Sequence, residues 1–317
     1  SQYHKLWFFI LLFICKMSAA EQLYFAKQDN IDSYQFSYQW LDSMAEQQAI
    51  SFSFNKKVLF EHFRDFKSYK PNLVKAFIYQ EIKKQLSQQS FDGVQVTFPK
   101  DIQQQALTIK GTNAKKVQQA QQQLNLLKHE LTLRYLDKNY YHHFITEKDI
   151  SAIKPNHISI ADASVKDLKP IKPLILAKVS IQNIRKVTNY VLSFVQSIPY
   201  VEQESRILTS GMGFSPPLKL LWENQGDCDS KVTLAAAILR SLMPRINIVL
   251  IFIKQHAFLG LAIPVHSTDI TLTHENITYV LAEPVGPALL PLGKISATSE
   301  QKILNGHYSA ETYKYHK

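Results

Sequence analysis

Three residue types that together can break an amide bond stand in order along the second half of the chain: Cys228, His256 and Glu283. A thiolate is the attacking group, an imidazole takes the thiol proton, and a carboxylate fixes the imidazole in one tautomer. The setting of the cysteine fits the first role. Gly226 gives the chain freedom to turn, and Asp227 carries a carboxylate suited to capping a helix start. From Val232 to Leu242 the sequence is apolar on nearly every side, as in a buried central helix. Cys228 therefore falls in a first helical turn, where free N–H groups and the positive helix end favour a thiolate. Asp227 and Asp229 oppose that by repulsion, so a histidine must supply the compensating charge. Without one, an inert buried thiol explains the stretch equally well.

The histidine and carboxylate must be brought in by strands. "INIVLIFIKQHAFLGLAIP" holds two strand-like runs, Ile246 to Ile253 and His256 to Ile263, and "ENITYVLAEPVGP" holds a third, from Ile277 to Glu283, closed by Pro284. Antiparallel pairing of the second and third runs across a loop near residue 270 makes His256 and Glu283 neighbours. The short run Ile270 to Leu272 stands where it would separate them if it paired between. An oxyanion hole is also needed. The backbone N–H of Cys228 is its first donor. Gln196, near the end of an upstream helix, and Trp222, six positions before Cys228, are the candidates for the second; each is equally suited to packing.

The blocks "GDCDSKVTLAAAILRSL", "HAFLGL" and "YVLAEPVGP…PLG", in that order and with "VLSFVQSIPY" upstream, resemble the bacterial transglutaminase-like group of the papain-like superfamily. The resemblance covers roughly residues 175–295. It implies Cys228 as nucleophile, His256 as base and Glu283 as third member, on a central helix packed against an antiparallel sheet. It implies no cofactor and a protein or peptide substrate. Two departures stand out. The helix exit "SLMPRI" lacks the usual glycine, and Glu283 occupies a position where many relatives carry aspartate.

Elsewhere the chain reads as α+β. "AISFSFNKKVLF", "DGVQVTFPK" and "ALTIKG" read as strands; "NLVKAFIYQEIKKQLSQQ" has helical spacing, and "NAKKVQQAQQQLNLLKHELTLRYLDK", with no Gly or Pro, reads as one long helix. Residues 21 to about 50 show no clear pattern. The expected organisation is a signal peptide over residues 1–20, an accessory α+β domain over 21–150, a proline-bearing linker over 151–178, and the transglutaminase-like domain over 179–317. The leader rests on an apolar run from Leu6 to Cys15, too short to span a bilayer, followed by small residues Ser18 and Ala20 at a cleavage site. Its removal takes Cys15 and leaves Cys228 without a partner in its own chain.

The formal net charge is +10, but the lysines are scattered and form no basic block, which argues against nucleic-acid binding. No HExxH, CxxC or phosphate-loop pattern occurs. Adjacent His142 and His143 point apart on a strand and make a poor metal pair. The glutamine run at 118–123 reads as a solvated helix face, and Asn276 opens a glycosylation sequon. The expectation is an exported, periplasmic or secreted thiol enzyme, with no stable membrane span once the leader is gone. Water as acyl acceptor makes it a protease or amidase; an amine makes it a crosslinker. Two readings compete: a non-catalytic envelope binding module on the same fold, and a basic protein that binds anionic envelope polymers and keeps its cysteine for structure.

Overall fold

The computed structural model describes residues 20–61, 66–101, 106–145, 150–201 and 213–315. The expected leader lies outside the described residues save for Ala20, as do residues 208–212 of "LTSGMGFSPP", a stretch with two glycines that lacks the spacing of a phosphate loop and reads as a connector. The chain is α+β.

An antiparallel meander comes first: β1 (Gln22–Asp29), β2 (Ser33–Leu41) and β3 (Gln47–Asn55). Phe36, Tyr38 and Trp40 alternate along β2, and Ile50, Phe52 and Phe54 along β3, so one face is aromatic and buried while the other carries Ser37, Gln39, Ser51 and Ser53. After α1 (Lys56–Glu61) a second unit forms from α2 (Pro71–Gln88), the hairpin β4 (Val94–Thr97) with β5 (Thr108–Gly111), and α3 (Ala114–Lys138). Its own small core joins Val74, Ile78, Tyr79 and Ile82 to Leu124 and Leu131. The glutamines of α3 face solvent, and Asn113 caps the helix by accepting from Lys115 and Lys116 N–H.

The stretch expected to be a linker is structured. The hairpin β6 (Tyr141–Ile145) and β7 (Ser151–Pro155) leads into α4 (His157–Ser164) and α5 (Ile171–Lys178). His157, Ile160, Ala161, Ile171 and Ile175 are buried there. Two short helices of eight residues each give too few turns for their periodicity to stand out among prolines.

The rest builds the main core. In α6 (Ile184–Ser197) every residue from Tyr190 to Ser197 is buried. After α7 (Pro217–Glu223) comes α8 (Cys228–Leu242), buried along its length except at Ser241. The strands β8 (Ile248–Ile253), β9 (His256–Leu261), β10 (Thr271–His274) and β11 (Ile277–Ala282), with α9 (Ala297–Leu304) and β12 (Ser309–Tyr313), complete the chain. They form an antiparallel sheet of order β10-β11-β9-β8-β12. Leu250, Phe252, Ala257 and Leu259 join the main core with α8; Val249, Ile251, Ile253 and Phe258 join a second cluster with Tyr279, Leu281 and Ile295. Burial on both faces explains why β8 reads as an unbroken apolar run.

The meander belongs to this main core rather than to the α2–α3 unit. Trp40 packs on Phe194 and Tyr190 and donates its indole N–H to Ser193 Oγ at 3.0 Å, and Tyr38 donates to Leu221 O at 3.0 Å. Among the described residues no helix is long and apolar enough to cross a membrane.

Candidate active site

Asp227, extended at the head of α8, accepts the Ser230 N–H at 2.9 Å. That cap fixes where the helix begins and sets Cys228 in its first turn. The glycine before it serves a close approach: Gly226 needs no left-handed φ, but a Cβ there would meet Leu220 Cδ1 at 2.8 Å. The left-handed residue is Asn224, at the end of α7.

His256 is the first residue of β9, paired with Ile253 across a two-residue turn that includes Gln255. Its Nδ1 lies 3.1 Å from Cys228 Sγ. Its Nε2 lies 2.8 Å from Glu283 Oε1. The two strands pair antiparallel as expected, and their register sets the two residues on a diagonal rather than directly opposite. β11 pairs with β9 as Val280 with Leu261 and Ala282 with Leu259, so Glu283 falls level with Phe258. Positions two apart share a sheet face, and a long side chain spans the diagonal. The glutamate's extra methylene therefore suits this register. β10 pairs on the far side of β11 and does not come between. The other carboxylate oxygen of Glu283 accepts the Ser296 N–H at 2.8 Å, so both oxygens are fixed. Sequence reasoning passed over Ser296; its signal was a serine cap before α9.

The charges around the sulfur are arranged to balance. Burial alone would lower the His256 pKa, but the bonds to Cys228 and Glu283 and the charges of both outweigh it and push it up to about 9. The imidazolium this favours is the partner a thiolate needs. Asp229, feared as a repulsive neighbour, is buried and faces the buried His157 at 3.6 Å. His157 comes from the stretch expected to be a linker. Lys231, also fully buried, donates to Ile198 O and, at 3.4 Å, to Gln196 O; burial lowers its pKa to about 7 against an opposing pull from Cys228.

The two side chains proposed for the oxyanion hole are engaged elsewhere. Gln196 donates both amide hydrogens, to Glu283 O at 2.8 Å and Leu290 O at 2.9 Å, and so ties α6 to the end of β11. Trp222 packs against Tyr34, Phe36 and Phe60 with the Lys27 ammonium 3.6 Å from its ring centre. The described groups bonded to Cys228 Sγ are His256 Nδ1, Gln255 O at 3.8 Å and the Tyr200 hydroxyl at 4.0 Å. His142, on β6, has its Nε2 3.7 Å from Glu311 Oε1. Among the described residues no three His, Cys, Asp or Glu side chains gather to hold a metal ion.

The chain matches no family model, no curated protein and no solved structure at a significant level. The functional reading therefore rests on this geometry and on the sequence resemblance.

Proposed function

We infer that the chain is a thiol enzyme that acts on amide or peptide bonds of a protein or peptide substrate, on a transglutaminase-like, papain-like core. The observation that carries the reading is the continuous relay from Cys228 Sγ through His256 to Glu283, with gaps of 3.1 and 2.8 Å. The resemblance, the core position of α8 and the antiparallel sheet beside it support the same reading. The localisation proposed with it is export to the periplasm or beyond, on the leader-like N-terminus.

The reaction runs in two balanced halves. His256 takes the thiol proton, and the thiolate forms a bond to the carbonyl carbon while the carbonyl π pair moves to oxygen. When that pair returns, the carbon–nitrogen bond breaks and the amine leaves with the proton from His256. The acyl group is then a thioester on Cys228. Water or an amine, giving its proton to His256, attacks the thioester and releases the cysteine. Glu283 keeps the imidazole oriented throughout. Hydrolysis is the simpler outcome, since water needs no second binding site; transfer to an amine follows the same steps.

Iodoacetamide tests the relay. Cys228 should label rapidly below pH 7, and His256→Ala should slow labelling by about tenfold or more. An ordinary thiol pH profile, indifferent to that substitution, would sink the reading in favour of a binding module.

A further inference from the structure

We propose that Tyr200 is a catalytic residue: its phenolic O–H is the side-chain donor of the oxyanion hole, acting with the backbone N–H of Cys228. The proposal rests on the thiol-enzyme reading above. Its basis is position. The Tyr200 hydroxyl lies 4.0 Å from Cys228 Sγ. The oxygen of a tetrahedral adduct is two bonds from the sulfur. An adduct oxygen beside the line joining sulfur and hydroxyl can be two bonds from the sulfur and still within the roughly 2.7–3.1 Å of the hydroxyl that an oxyanion donor requires.

The backbone holds the ring in register with the nucleophile. Tyr200 forms a parallel bridge with Gly226, two residues before Cys228. Gly226 N–H donates to Pro199 O at 3.2 Å, and Val201 N–H donates to Gly226 O at 3.3 Å. The preceding turn is fastened to α8 as well, since Lys231 donates to Ile198 O. Two separate ties thus relate Tyr200 to the first turn of the helix that carries the thiol. Tyr200 is 43% exposed while Cys228 is 5% exposed, so the hydroxyl borders the side from which a carbonyl can approach. His256 Nδ1, at 3.1 Å from the sulfur, serves the proton, so proton transfer and oxyanion binding fall to separate groups. Gln196 and Trp222, the side chains the sequence offers for this role, are bonded and packed elsewhere.

In the step itself, the thiolate adds to the carbonyl carbon and the oxygen gains the electron pair. Tyr200 shares its hydrogen with that oxygen as a hydrogen bond and keeps its proton, so no charge passes to the phenol. The bond is stronger in the adduct than in the planar carbonyl, which is what lowers the barrier.

The test uses two reactions of Cys228 on the full chain. Alkylation by iodoacetamide is a displacement at saturated carbon with no oxyanion; acylation by p-nitrophenyl acetate passes through one. Tyr200→Phe should leave alkylation within about twofold of wild type and slow acylation by about ten- to a hundredfold, toward the loss seen when one oxyanion donor is removed. Equal slowing of both reactions, or of neither, overturns the assignment. A purely structural role for the hydroxyl gives equal slowing, and a circular dichroism melt checks that the variant is folded. A wild-type chain that is neither rapidly alkylated nor acylated at Cys228 defeats the thiol-enzyme reading itself, and Tyr200's role with it.

Discussion

His256 is pulled both ways: burial disfavours its charge, and the bonds to Cys228 and Glu283 favour it more strongly. The net rise from 6.5 to about 9 makes the folded state bind a proton that the unfolded chain gives up. Its contribution to stability is therefore fully present below pH 6.5 and is lost as pH rises through about 9. The stability difference between wild type and His256→Gln, from urea unfolding at a series of pH values, should be largest near pH 6 and shrink toward pH 10. A difference that stays flat or grows over that range contradicts the imidazolium assignment. That Cys228, His256 and Glu283 meet was legible because order, helix start and strand ends each left a mark in the sequence. The diagonal placement of Glu283 was not, since register depends on how the loop around residue 270 closes, which residue types do not disclose. Ser296, which holds the second oxygen of Glu283, lies 13 positions downstream and is joined only by the fold.

At the scale of elements, the end of α6 is where the site is assembled. Lys231 reaches it from α8, Gln196 reaches from it to β11, and Tyr200 follows it directly. A buried ammonium at a helix C-terminus meets carbonyls that have no partner within the helix. Burial nonetheless lowers the Lys231 pKa from 10.5 to about 7, so between those values the unfolded chain holds a proton that the folded one has released. The resulting stabilisation is fully present above pH 10.5 and is lost as pH falls through about 7, opposite in sign to that of His256. In the same urea series, the stability difference between wild type and Lys231→Met should increase from pH 7 to pH 10. A constant difference would mean that Lys231 does not titrate on folding. The substitution also strands the two carbonyls, at about 1–3 kcal/mol for each left unsatisfied. Helix α6 was readable from its apolar period over 14 residues, α3 from a long run without Gly or Pro, and α8 from its cap and nearly continuous apolar stretch. Strands β9 and β11 were readable from their turn residues and ends. Helices α4 and α5 were not, because eight residues among prolines carry too little of that signal.

Over the whole molecule, the main core and the separate core of the α2–α3 unit divide the chain in a way its order conceals. The meander precedes the α2–α3 unit in sequence, yet its aromatic face shares a core with α6 and α8. The alternation of Phe36, Tyr38 and Trp40 carried that information; serines and glutamines between tyrosines dulled the contrast between faces. The α2–α3 unit keeps a separate core around Ile82 and Leu124. The two cores should respond differently to truncation. Trp40→Ala removes a fully buried indole and its bond to Ser193, at about 3–5 kcal/mol. Because Trp40 packs on Phe194 of α6, whose end sets Gln196 and through it Glu283, the loss should reach the site. The near-ultraviolet dichroism of the aromatic seam should melt at a lower temperature, and the rapid alkylation of Cys228 that needs the folded relay should be lost with it. Ile82→Ala carries a comparable loss, about 2–5 kcal/mol, but in the other core. It should loosen α2 against α3 and speed their proteolysis while leaving the melting temperature of the aromatic seam close to wild type. If Ile82→Ala lowers that melting temperature as much as Trp40→Ala does, the two cores unfold as one. The α2–α3 unit would then support the half of the chain that carries Cys228 rather than stand apart from it.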